Sequence, residues 1–383
     1  MTVLDIRALN RATLARQLLL DRADLPVYDA VAHLGGLQAQ EPQEPFVGLW
    51  SRLRGFDPAD LSDLLLRRAV VRTHLMRRTV HLLTAADAVA WRPRHDAMLR
   101  QRVLAVYRRE LAGVDLDALA AAGRAVLADG EPRTMTGLAR ALPDPWSKLE
   151  PRALGEMLVA ALIPVVQLPP RGLWRATGGA RYRPLAEWAG LDPDQPATDG
   201  SAAQDGGVDQ VGQTLVRRYL AAYGPAASAD LRAWCGLAGL PAAVTAIRDE
   251  LVVFRDQRGR QLLDLPDAPR PDPDTPAPVR FLPAFDNAIL GYDDRSRIID
   301  DAHRGLSVAG ARVVLVDGRV AATWTVDAGT SAGTSADAGT VTVTPLRVFS
   351  RTDRAAVAEQ GERVAALLSD GESQRVRVAG DAG

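Results

Sequence analysis

The chain has 383 residues and a formal net charge of −1, with 47 % hydrophobic and 24 % charged residues. These proportions exclude the disordered and fibrous classes and fit a soluble globular protein of two to three domains, at roughly 100–200 residues each. The single cysteine, Cys235, excludes a disulfide framework and a cysteine zinc site, and neither the opening MTVLDIRALNRATLARQ nor the apolar run at 154–168 reads as a signal core or a membrane span, so a cytoplasmic protein is expected.

In chain order, IRALNRATLARQLLL and LPVYDAVAHLGGLQAQ read as helices, and DPADLSDLLLRR as a third that starts at Asp57 and Pro58. AVVRTHLM and RTVHLLT read as the strands of a hairpin. The order then repeats. DLDALAAAGRAVLADG, TMTGLARAL (capped by Thr134) and PRALGEMLVAALI (opened by Pro151) are helical, and VVQL and LWRAT flank the turn PPRG. A third copy follows. VGQTLVRRYLAAYG, SADLRAWCGL (with Ser228 as cap) and LPAAVTAIRDE precede LVVFRD and RQLLDL around QRG. Three helix–helix–helix–hairpin units in tandem predict three winged helix-turn-helix motifs, at 1–110, 111–190 and 211–272. Residues 191–210, polar and rich in Gly, Pro and Asp, read as a flexible linker. Beyond them, 273–370 alternates as a small antiparallel sheet closed by the helix RAAVAEQGERVAALLSD. The Gly-rich stretch at 327–340 reads as a hairpin tip, and 371–383 as a frayed tail. The fold class is therefore α+β, mainly helical.

The near-zero net charge hides an asymmetry. Residues 1–190 carry a net +6 and residues 191–383 a net −7, and residues 67–109 hold eleven arginines against two acids, Asp87 and Asp96. A cationic stripe of this density attracts a polyanion even when the whole chain is neutral, and a winged helix usually lays one helix in the major groove. Double-stranded DNA is the expected partner. A transcription regulator that binds DNA without catalysis is the competing reading, but such proteins are commonly symmetric dimers, whereas three non-identical wings in one chain predict a monomer.

Little in the sequence announces chemistry. The five histidines show no metal-ligand spacing, and there is no phosphate loop, dinucleotide turn or nucleophile elbow, so neither metal nor cofactor is expected. The unusual feature is Gln38-Ala39-Gln40, between a glycine pair and Pro42. If that segment is extended, residues i and i+2 point the same way and both amides meet at one site.

At this point the sequence resembles a family. LQAQ, RTHLMRRTVHLLTAAD, FLPAFDNAILGYDDRSRII and LVDGRVAATW together resemble the AlkZ-type DNA glycosylases, over essentially the whole chain from about residue 5 to residue 370. The resemblance implies three tandem winged helices around a concave, basic DNA-binding face. It implies monofunctional excision of N7-alkylated purines, with bulky natural-product adducts or interstrand crosslinks as substrates. It also implies that Gln38 and Gln40 are the catalytic pair. Glutamine at the second position resembles the self-resistance branch of antibiotic producers, and the heavy Ala, Arg and Gly usage is that of a GC-rich genome such as an actinomycete's. Arg72, His74, Arg77, Arg78 and His81, around the first wing, are expected to contact phosphate or border the lesion. Asp286 and Asn287 match a family segment and read as a structural turn. Trp146, Trp174 and Trp188 read as core anchors. Bulky substrates predict an open cleft rather than a tight nucleobase pocket.

Overall fold

The computed structural model describes residues 2–190, 209–327 and 339–380. Local chemistry sets most element starts. Asp57 caps Pro58–Leu66 through Ala59 N, Thr134 caps Met135–Arg140 through Gly137 N, Glu150 caps Pro151–Met157 through Ala153 N, and Ser350 caps Arg351–Leu368 through Asp353 N. At Ser228–Cys235 the predicted cap shifts by one residue. Ala227 takes the cap position because Asp230 reaches back to accept from its N–H, which leaves Ser228 as the first helical residue. The longest helix, Ala85–Val106, is not among the predicted elements, since its apolar spacing is interrupted by Pro93; it carries four of the stripe's arginines, and the shorter Glu44–Trp50 and Arg304–Val308 are likewise not predicted.

The strands form three sheets. The largest rearrangement relative to expectation is that the first two hairpins are one sheet. Its order is Leu37–Gln38, Val80–Thr84, Val70–His74, Val165–Gln167, Tyr182–Pro184, antiparallel throughout. The seam is the pair Arg72–Gln167, reinforced by Thr73 Oγ1 donating to Val165 O at 2.7 Å. LWRAT was expected to be the partner of VVQL, but Tyr182–Pro184 fills that role. Side chains of the first unit occupy the backbone groups a strand at 173–177 would need. Gln43 donates to Leu173 O and accepts from Arg175 N, Ser62 Oγ accepts from Trp174 N, and the Trp174 ring packs on Phe46 at 4.9 Å.

The third hairpin, Val252–Asp256 with Gln261–Asp264, sits in a separate three-stranded sheet, where Val3–Leu4 pairs parallel to Val252–Asp256. The last sheet runs Arg280–Leu282, Val313–Val316, Arg319–Val326, Val341–Pro345. Val376–Val378 adds to it in parallel, so the segment expected to fray is tied down through residue 378. The expected linker at 191–210 and the hairpin tip at 327–340 lie mostly outside the described residues. Of them, Asp209 caps Gln210–Tyr223. No helix among the described residues is long and apolar enough to cross a membrane.

The main apolar core joins the first hairpin to Ala85–Val106 and to the helices of the second and third units, with Trp91 and Trp234 fully buried at its centre. A second core lies under Val27–His33 and Pro58–Leu66 and supports the other face of the Leu37–Gln38 strand. The glutamine segment is therefore clamped between two packed clusters.

Candidate active site

The site begins with the glycine pair. Gly35 and Gly36 have φ of +66° and +92°, a region that L side chains rarely adopt. A Cβ on Gly36 would lie 2.5 Å from Leu83 Cδ2, and one on Gly35 3.0 Å from Trp234 Cζ2. Only glycine lets the chain leave Val27–His33 and drop at once onto the edge of the first sheet. The chain is consequently extended over Leu37–Gln38, and Gln40 follows in a bend beyond the strand's end, so the strand alternation behind the shared-face expectation does not run through to Gln40. Gln38 lies opposite His81, and Ala39 N donates to Val80 O at 2.8 Å.

The two amides are held differently. Gln38 is buried, and its Oε1 accepts from Arg77 Nη2 at 2.8 Å. Gln40 is exposed, and its Oε1 accepts from Val80 N at 3.2 Å. Each oxygen keeps a second lone pair. Arg77 Nη2 also donates to Asn287 Oδ1 at 3.1 Å and faces His81 Nε2 at 3.5 Å, while Nη1 donates to Trp234 O. Asn287 Nδ2 donates to Gly36 O at 3.3 Å. Gln38, Arg77, His81 and Asn287 thus form one connected polar cluster drawn from three parts of the chain. A narrow crevice lined by Gln38, Pro283, Phe285 and Asn287 opens beside it.

The residues expected around the wing face inward. Arg72 is buried and donates from Nη2 to Ala39 O at 2.8 Å, so it grips the spacer between the glutamines. Burial lowers it to about 10. Arg77 is half-buried, and desolvation likewise lowers it to about 10, so it stays cationic at neutral pH. Arg78 pairs with Glu156 at 3.2 Å. His74 and His81 lie within the sheet. Burial pushes His74 down to about 4, and burial together with the Arg77 charge holds His81 well below the usual range. His81 Nδ1–H donates to Thr79 O at 3.0 Å, which leaves Nε2 as the acceptor toward Arg77. Arg72, His74 and His81 therefore cannot meet phosphate from these positions. Arg77 and His81 border the glutamines instead.

Asp286 behaves as the structural turn that was expected. It caps Asn287–Leu290 and pairs bidentately with buried Arg52 at 2.8 and 2.9 Å. Asn287 does more, because that cap delivers its amide to Arg77. Sequence reading missed this contact, since the two residues are 210 positions apart. The free positive charge of the stripe lies elsewhere. Arg67, Arg102, Arg108 and Arg109 are exposed and have no ion pair among the described residues. Arg102 joins Arg77 and Arg232 in lining an open cleft of about 720 Å³ between Ala85–Val106 and Ser228–Cys235.

Comparison with known proteins follows the same line. The family model for AlkZ-like DNA glycosylases matches residues 31–367. Among solved structures, the DNA glycosylase AlkZ of Streptomyces sahachiroi is similar over 99 % of this chain and 100 % of that one, with a TM-score of 0.76 at 20 % sequence identity. No curated protein sequence matches the chain.

Proposed function

From the premise that this chain belongs to the AlkZ-like DNA glycosylase family, we propose that it hydrolyses the N-glycosidic bond of N7-alkylated guanine in double-stranded DNA. Water is the only nucleophile. Its oxygen bonds to C1′, the C1′–N9 bond breaks with its electron pair going to the purine, and a proton leaves to solvent. An abasic site remains. Alkylation at N7 makes the purine a cationic leaving group that departs without prior protonation. The protein then has to place water and stabilise charge, which neutral amide dipoles do. Carboxylates, usual at glycosidic centres, are dispensable for such a substrate.

The observation that carries this reading is the glutamine pair at the end of the Leu37–Gln38 edge strand, Gln38 on the strand and Gln40 in the bend after it, with each oxygen already anchored. Gln38, whose oxygen is turned to Arg77, offers its amino group as a donor to the water. Gln40, whose oxygen spends one lone pair on Val80 N, offers the other as an acceptor. A water held between donor and acceptor keeps a lone pair free for C1′. Unmodified guanine, lacking the cationic leaving group, is left intact.

The exposed arginines at the end of Ala85–Val106 supply attraction for the duplex. Three winged-helix units in one monomer fit a single DNA segment, and an open cleft fits bulky adducts or interstrand crosslinks, such as those an antibiotic producer must repair in its own DNA. The test uses two duplexes. One carries a single N7-methylguanine, and the other is alkylated at guanine N7 by a nitrogen mustard. An alkali step then cuts abasic sites. Strand cleavage by wild type and none by Q38A/Q40A is the expected result. Wild type inactive on both duplexes, or a double mutant at wild-type single-turnover rate, overturns the reading.

A further inference from the structure

Arg77 occupies an unusual position for an arginine of a DNA enzyme. It sits in the turn between Val70–His74 and Val80–Thr84, where Arg77 and Arg78 both adopt the left-handed region, with φ of 55° and 66°. Two consecutive non-glycine residues there cost conformational energy and persist only where surrounding contacts hold them. The guanidinium's hydrogen bonds go to neutral groups: Gln38 Oε1, Asn287 Oδ1 and Trp234 O, with His81 Nε2 at 3.5 Å. Among the described residues it has no carboxylate partner.

The geometry points to Arg77 as a positioning residue that fixes the Gln38 carboxamide with its oxygen turned inward and its amino group toward the substrate; this rests on the role given to Gln38 above. A guanidinium has donors and no acceptor, so any amide that meets it must present oxygen. Glutamine alone has no such preference, because its two ends are nearly the same size and its last torsion is broad. Asn287 acts as the reference arm. Its oxygen is on Arg77 at 3.1 Å and its nitrogen on Gly36 O at 3.3 Å, so the guanidinium is braced against the backbone that leads into the Gln38 strand. Trp234 O anchors the other end of the fork. The planar, multi-donor shape is essential. A lysine ammonium provides the charge but not three diverging bonds at fixed angles.

The rival role is a phosphate contact, since Arg77 also lines the open cleft. A double-mutant cycle separates the two. Single-turnover excision is measured for wild type, Q38A, R77K and R77K/Q38A, on whichever of the two duplexes wild type cleaves. Duplex affinity and its salt dependence are measured alongside. The expected result is a loss of about 100-fold in rate for R77K, with affinity and salt slope unchanged, and no further loss when R77K is added to Q38A. R77A, if it folds, should regain rate with added methylguanidinium while R77A/Q38A should not. Additive losses in the cycle, or a weaker affinity with a shallower salt slope for R77K, overturn the inference and leave the role of Gln38 standing. Q38A at wild-type rate, or wild type inactive on both duplexes, removes the role of Gln38 and this inference together.

Discussion

The first and third hairpins have the same plan and opposite uses. Each is two five- or four-residue strands around a short arginine-bearing turn, with a two-residue strand added at one edge: Leu37–Gln38 on the first, Val3–Leu4 on the third. In the third, every turn charge is neutralised locally. Asp256 binds Arg260 and the N–H groups of Arg258 and Arg260, and Asp294 binds both guanidinium groups. Asp264 at the strand end is fully buried and takes Arg16 bidentately as well as Arg270. In the first, Arg78 pairs with Glu156, but Arg77 meets only amide and carbonyl oxygens and the His81 ring nitrogen, and has no carboxylate partner among the described residues. One hairpin has its turn arginines paired with carboxylates, while the other keeps Arg77 beside the two glutamines with no carboxylate partner among the described residues. The difference teaches that charge balance, rather than secondary structure, distinguishes the hairpin that carries the proposed site.

Substitutions should split along that line. The largest effect is expected for D264A, which strands the buried Arg16 without its carboxylate. Breaking such a pair costs about 3–5 kcal/mol, so chemical denaturation should show a much lower midpoint, while excision per folded molecule stays at the wild-type level. A loss of excision with stability intact would erase the contrast. Q38A should do the reverse: about 10³-fold slower single-turnover excision at a nearly unchanged unfolding midpoint. Q40A should fall short of it, since that side chain is exposed.

The buried histidines of the first unit give a pH handle. His74 and His95 are both pushed down to about 4 by burial, against about 6.5 in the unfolded chain. Below 6.5 the unfolded state takes up protons that the folded state refuses. Stability should therefore fall by several kcal/mol between pH 6.5 and pH 4 and level off beneath that window. Urea titrations across these pH values check it, and a flat profile between 6.5 and 4 would show that the histidines are solvated. The smallest effect is expected from R258A. Its partner at 3.1 Å is Asp294, but Arg258 is largely exposed, so the change should be under about 1 kcal/mol, with excision untouched.

What the sequence revealed was what neighbours in the chain decide. Caps at Asp57 and Thr134 are side chains bonding a backbone two or three residues away, and the hairpin at 252–264 needs only its own turn. The exchange of 173–177 for Tyr182–Pro184 was invisible because Gln43 and Ser62, more than a hundred residues upstream, claim the backbone at 173–175. The tie of Val376–Val378 to Val341–Pro345 depends on sheet order that no local pattern encodes. At the site, the glutamines were legible through a shared motif, and the glycine pair before them through its breaking of a helix. The inward turn of Arg72 was not, because an arginine that binds Ala39 O and one that binds phosphate are spelled alike.

The seam at Arg72–Gln167 also has a consequence in time. A nascent chain that ends near residue 160 already contains both glutamines, both turn arginines and the first hairpin. It lacks the strand that flanks Val70–His74, the Trp234 carbonyl that anchors the fork, and the Asn287 amide that braces it. Synthesis therefore makes the glutamine pair early and completes the contacts around it late, once about three quarters of the polypeptide has been made. A truncated product carries the Gln38-Ala39-Gln40 motif without the contacts that hold Arg77 beside it.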